Sequence, residues 1–207
     1  VNTNTLAISD GSGIASNYTL TNGTLTMTIV PRPTTVSGTK IYDGTTNVSS
    51  SNLTSFSNLA GSDTLSISGT GSISSADVGT GKSVNTSGIT IDNSSGVGSN
   101  YTLSSASVNV TKRVISLNGV RAFDGTNNAS SADLSISNLV SGENLTLSGS
   151  GTVPNATVEM NKAITLGSLS VSDGSGGESS NYTLTGGSHT LDISQLSVNV
   201  TGSRQYD

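Results

Sequence analysis

Apolar and polar residues alternate along most of this chain. TLTMTIV (24–30), TLSIS (64–68), ASVNV (106–110), LTLS (145–148), LSVS (169–172) and TLDIS (190–194) all repeat with period two. That is the mark of a strand with one buried face. Turn-forming clusters separate these runs: DGSG at 10–13 and 173–176, DGT at 43–45 and 124–126, and DNSSG at 92–96. No stretch sustains the i, i+3, i+4 spacing of an amphipathic helix, although SSNLTSFSNLAGSD (50–63) has room for one helical turn. Short strands at close spacing predict an all-β fold of sandwich-like modules. A β-grasp-like module with a short helix is the alternative that this pattern leaves open.

The alternation is itself periodic on a longer scale. NYTL occurs at 17–20, 100–103 and 181–184, and an aromatic-Asp pair at Tyr42-Asp43, Phe123-Asp124 and Tyr206-Asp207. Six of the seven aromatic residues fall in these two motifs, and Phe56 is the exception. Other positions keep step. Gly38, Gly119 and Gly202 stand four residues before the aromatic, and Lys40, Arg121 and Arg204 two before it. LSISGTG (65–71) matches LTLSGSG (145–151), and Lys82 matches Lys162. GITID (88–92), SLSVSD (168–173) and LAISD (6–10) read as one recurring strand, which aligns Asp10, Asp92 and Asp173.

Self-similarity of this kind predicts tandem modules of about 80 residues in an elongated array. Framed on the aromatic motif, residues 1–37 are the C-terminal half of a repeat. Residues 38–118 and 119–201 are complete repeats, and 202–207 begin the next, so the sequence reads as a stretch of a longer array. TKRVISLNG (111–119) joins two repeats without a Pro/Gly/Ser spacer. Within each motif the local chemistry is legible. An Asp side chain accepts from the backbone two residues on, and Gly takes positive φ at no steric cost. Tyr42-Asp43-Gly44 and Phe123-Asp124-Gly125 therefore predict a strand end followed by a tight turn, with the aromatic as core filler. Asn17-Tyr18, Asn100-Tyr101 and Asn181-Tyr182 predict the second structural element of each unit.

Taken together, KIYDGTT (40–46), GTGKSVNTSGITI (79–91), SNYTL (99–103) and VTKR (110–113) resemble the YDG-type tandem repeats of large bacterial surface adhesins. Those are the filamentous-haemagglutinin-like proteins exported by two-partner secretion. The second unit departs from the pattern, with AFDGTNN for the first motif and VEMNKAITL for the GTGK segment. The resemblance implies a secreted, non-enzymatic protein of the bacterial cell surface, active in adhesion or biofilm. In it the repeats form a stalk that extends a distal binding region.

Composition narrows the chemistry. Hydrophobic residues make up 31% and charged residues 10% of the chain, and the net charge is −5. So thin an apolar content fits several small cores. Eight Lys plus Arg on an acidic chain argue against nucleic acid, whose phosphates demand a basic face. The absence of cysteine removes disulfides and thiolate metal sites. No run approaches a membrane span, and VNTNTLAISD lacks the basic and apolar regions of a signal peptide.

Candidate catalytic groups are scarce. The single His189 sits in GGSHTLDIS without a counterpart in the other units, which reads as a strand residue and not as a catalytic base. GTGKS (79–83) fails as a phosphate loop because Ala76 stands where the first Gly belongs. No catalytic or cofactor-binding residue is expected. Asp10, Asp92 and Asp173 are the only metal candidates, for Ca²⁺, each bringing one acid to its loop, and a hairpin turn is the simpler reading. Thirteen Asn-x-Ser/Thr sequons are what a chain rich in these residues generates by composition. Lys82 and Lys162 are aligned candidates for an isopeptide cross-link. Phe56, the unrepeated aromatic, is the candidate ligand contact. Neighbouring repeats are the expected partners, with polysaccharide, a host surface or other adhesin copies as alternatives.

Overall fold

A computed structural model of the protein describes residues 7–19 and 26–205. The first module contains β1 (Arg32–Ile41), β2 (Asn47–Ser49), β3 (Leu53–Ser57), β4 (Leu65–Ser72), β5 (Gly79–Val84), β6 (Ile89–Asn93) and β7 (Tyr101–Thr111). One sheet has the order β3-β1-β7-β5 and the other the order β2-β4-β6. Their inner faces share one core. Val36, Leu53, Val84, Ala106, Val108 and Val110 come from the first sheet, and Val48 from the second. Every second residue of β7 from Ala106 to Val110 is buried, as the alternation requires.

The second module repeats this plan with β8 (Arg113–Val114), β9 (Ser116–Ala122), β10 (Asn128–Ser130), β11 (Leu134–Ser137), β12 (Leu145–Ser148), β13 (Ser150–Thr152), β14 (Glu159–Ala163), β15 (Ser170–Asp173), β16 (Tyr182–Thr183) and β17 (His189–Ser194). Its main sheet runs β11-β9-β17-β14, with β16 paired to β8. β12 and β13 together correspond to β4. They part at Gly149, whose φ of 86° matches the 90° of Gly69. The fold is all-β. Helical structure among the described residues is limited to 3-10 turns, one of them at Ser50–Asn52, so the short helix of the β-grasp alternative is not formed.

The folded unit begins earlier than a frame set on Gly38. β1 starts at Arg32, so a boundary at residue 38 falls inside the strand. The difference arises because β1 pairs with β7 in parallel along its whole length, from Arg32↔Tyr101 to Ile41↔Thr111. Residues 26–30 belong to the run TLTMTIV yet form no strand, and Met27, Ile29 and Val30 are exposed. The counterpart run in β7 has a strand on each side, whereas 26–30 have none.

Gly38 and Gly119 answer to a contact that no alternation reveals. A Cβ on Gly38 would lie 1.7 Å from the carbonyl oxygen of Asn52, and on Gly119 2.0 Å from that of Asp133. Here the 3-10 turn before β3 or β11 passes directly over the central strand. Gly38→Ala and Gly119→Ala are each expected to destabilise their module by about 3 kcal/mol or more. Gly202, with nothing within 4 Å, serves as the control. Urea unfolding of the three variants checks this.

Candidate functional site

Each aromatic-Asp-Gly motif ends a central strand in a turn clasped by a cation. Asp43 Oδ1 accepts from the amide and the hydroxyl of Thr45, both at 2.9 Å, and Gly44 takes φ 74°. Buried Lys40 closes the loop, with Nζ donating to Thr45 O at 2.7 Å and Asn47 O at 2.5 Å, and pairing with Asp43 at 2.8 Å. Arg121, Asp124 and Thr126 repeat the arrangement around Gly125. Burial pushes the Asp43 carboxyl up, but hydrogen bonds from Lys40 and Thr45 outweigh it and hold it below its usual range. Asp124 is held down mainly by the Thr126 amide. Lys40 and Arg121 are therefore turn clasps.

The first of these turns faces the second module, and the two modules meet around it. Only Lys112 separates β7 from β8. Tyr42 is 5% exposed, and its buried cluster includes Ile115 and Tyr182 of the second module. The Tyr42 and Tyr182 rings meet edge to face, with centroids 5.4 Å apart. Glu143 lies between their hydroxyls. Oε1 accepts from Tyr42 at 2.7 Å and Oε2 from Tyr182 at 2.6 Å. The Tyr182 hydroxyl also accepts from the Val140 amide at 3.1 Å. Asn181, 1% exposed, reaches back to the first module. Its Oδ1 accepts from the Val78 amide at 2.9 Å and its Nδ2 donates to Asp77 at 3.0 Å. A Cβ on Gly44 would lie 2.8 Å from Val140, so this glycine is required by the neighbour as well as by its φ.

Burial, followed by the hydrogen bond and the charge of Glu143, pushes the Tyr42 hydroxyl far above its usual range, and Tyr182 moves the same way. A half-buried carboxylate satisfied by two phenols is a geometry-demanding contact, since removing either donor leaves charge under-solvated.

The other copies of these motifs have different surroundings among the described residues. Phe123, the counterpart of Tyr42, is 39% exposed, and Gly125 has open space around it. Tyr101 is buried and donates to Asp63 at 2.5 Å within its own module, while accepting from Ala60 N. Asn100, Asn17 and Tyr18 are exposed. Tyr206 and Asp207 lie outside the described residues.

The remaining candidates resolve into structural roles. Asp173 Oδ1 accepts from the amide and hydroxyl of Ser179, and Asp10 Oδ1 from the Ala15 amide. Asp92 is not their counterpart. The ladder sets Leu65 opposite Asn93 and Leu145 opposite Asp173, so Asn93 holds that position, capping Gly98 N at 2.7 Å. The one-residue error comes from aligning acids where the fold needs only a side-chain oxygen. No group of three or more His, Cys, Asp or Glu side chains comes together among the described residues.

His189 lies half-buried on β17, and both ring nitrogens contact backbone groups, Leu117 N at 3.1 Å and Leu184 O at 2.8 Å. Lys82 donates to Ser75 O and Lys162 to Asn155 and Thr157, so the aligned lysines do not share an amide partner. Gly81 and Asn161 occupy the same left-handed position, φ 61° and 56°, which explains how the GTGK segment tolerates its change. Phe56 packs partly buried against the first core. It lines shallow grooves of about 310 and 340 Å³ with Thr54 and Leu65.

Glu143, Val140 and Asp77 escape a reading of the sequence, because their partners lie about 40 to 100 residues away. Asp63 and Glu143 do share a repeat position, in GSDTLSIS and SGENLTLS, and that acid pair is the available signal.

The YDG domain family matches the chain twice in tandem, over residues 25–108 and 110–191. No curated protein and no solved structure matches it.

Tyr42→Phe removes a hydrogen bond to a charged group and is expected to weaken the coupling between the modules by about 2 kcal/mol. A double-mutant cycle with Glu143→Gln, read by chemical unfolding, checks it. Because the folded Tyr42 pKa is raised, its contribution is complete below the unfolded value of about 10 and is lost as pH rises beyond it. Phenolate absorbance should therefore show late-titrating groups, Tyr42 and Tyr182 among them, and one fewer of them in Tyr42→Phe. At the turns the sign is opposite. Asp43 and Asp124 are depressed, so their stabilisation is present above about pH 4 and fades as pH falls further. Thermal melts of Asp43→Asn and Asp124→Asn should lack that acid dependence.

Proposed function

We propose that this chain, which belongs to the YDG domain family and carries two tandem copies of its domain, is a spacer segment in the stalk of a bacterial surface adhesin. The modules hold a distal binding region away from the cell, in adhesion or biofilm, and the protein works outside the cell without catalysis. The observation that carries the reading is the joint. A one-residue link, a carboxylate held by two phenols and the Asn181 amide clamp leave the modules little freedom to turn about each other. A spacer needs that stiffness, since a bending joint shortens reach, and arrays of this kind derive it from nearest-neighbour contacts.

The alternative reading, that the repeats bind a polysaccharide or host ligand or associate with other copies, has one supporting observation. The grooves beside Phe56 combine an aromatic edge with the hydroxyls of Ser50, Ser51 and Thr54. Phe56, however, is committed in part to the core.

Small-angle X-ray scattering across concentration tests the first reading. A concentration-independent rod that becomes flexible in Glu143→Ala/Asn181→Ala is the expected result. A particle that grows with concentration, or wild-type modules that already bend freely, would favour association or binding instead.

A further inference from the structure

We infer from the strand order that each module is a mechanical clamp, built to bear tension along the chain; the inference rests on the spacer reading above. Tension enters the first module at Arg32 and leaves at Thr111. Those residues lie at opposite ends of one ladder. β1 and β7 run parallel through ten register pairs, with Arg32 facing Tyr101 at one end and Ile41 facing Thr111 at the other. A pull on Arg32 and an opposite pull on Thr111 therefore slide one strand along the other. All the ladder hydrogen bonds are loaded together, and none can break alone. Had the two loaded ends been adjacent, the same bonds would open one at a time.

Over the middle of the ladder both strands are central, with β3 flanking Thr35–Gly38 of β1 and β5 flanking Ala106–Val110 of β7, so water does not reach that stretch from an open edge. Val36, Val108 and Val110 bury one face of the pair. Ser104 Oγ donates to Thr34 O at 2.8 Å, tying the strands where the register shifts. Lys112 passes the load straight on to β8.

The second module carries the same clamp in a broken form. β9 and β17 contribute six parallel pairs and β8 and β16 two more. Residues 184–188 lie between the two pieces, outside the ladder. Fewer bonds share the load there, and the shorter piece can yield first. The second module is thus the weaker link, and the array gives way in a fixed order.

Single-molecule stretching tests this, and the absence of native cysteine allows defined handles. Handles at Pro31→Cys and Lys112→Cys load the first module in shear. Handles at Pro31→Cys and Ser99→Cys pull on neighbouring ends of β1 and β7 and peel them. At equal loading rate the shear geometry is expected to rupture at a force roughly twofold or more above peeling, forced unfolding being set by the barrier and not by equilibrium stability. In the full chain pulled end to end, two events are expected, and Val108→Pro should remove the stronger and leave the weaker. Equal forces in the two geometries would overturn the clamp, as would loss of the weaker event in Val108→Pro. Should Val108→Pro fail to fold, the geometry comparison decides alone. A flexible or compact particle in scattering defeats the spacer reading while leaving the shear-to-peel ratio intact, so the two failures are distinguishable.

Discussion

Parallel strands cannot be joined by a tight turn, and in this chain the crossover between the parallel pair is the module itself. The chain leaves β1 at Ile41, lays down five further strands, and returns as β7 beside the point from which it started. Entry and exit are thereby set at opposite ends of one ladder. The next module must begin where β7 stops, and Lys112 is all the chain there is between them. The loops at the facing ends then have no choice but to touch. Gly44 meets Val140, and Tyr42 is carried into a cluster that includes Ile115 and Tyr182. Small modules with thin cores gain most from such contact, because each leaves a large share of its apolar surface uncovered.

The joint also shows how little change alters a contact between repeats. Asp63 and Glu143 hold one position in successive modules. Asp63 serves a single phenol, Tyr101, in its own module. Glu143, one methylene longer, serves Tyr182 in its own module and Tyr42 in the one before. The hydroxyl at position 42 needs that acceptor, since a buried phenol without a partner is costly. At position 123 the hydroxyl is absent, and Phe123 requires no acceptor from whatever covers it. Joints in such an array need not be equally stiff although the modules are alike.

Much of this was legible from the chain. Alternation located β4, β7, β12, β15 and β17, and the turn chemistry of Asp43-Gly44 and Asp124-Gly125 is as the residues dictate. What stayed hidden was whatever depends on which strand lies next to which. Period two says that a strand has a buried face, and nothing in it distinguishes a parallel neighbour from an antiparallel one. The start of the module at Arg32 was therefore out of reach, as was the failure of 26–30 to form a strand. The misalignment of Asp92 has a chemical cause. An Asn amide oxygen caps a turn as well as a carboxylate does, and residue identity alone does not separate them.

The tripeptide Asn-Tyr-Thr makes the general point about repeats. It occurs at Asn17, Asn100 and Asn181 with the same neighbours, and each copy ends a 3-10 turn. Among the described residues Asn181 is buried, bonded to the Val78 amide and the Asp77 carboxylate of the preceding module, whereas Asn17 and Asn100 are exposed. An Asn locked by both of its amide atoms cannot also carry a sugar, whereas the same residue facing solvent is open to any partner. The role of the motif is decided by the module before it, so its function is a property of the pair.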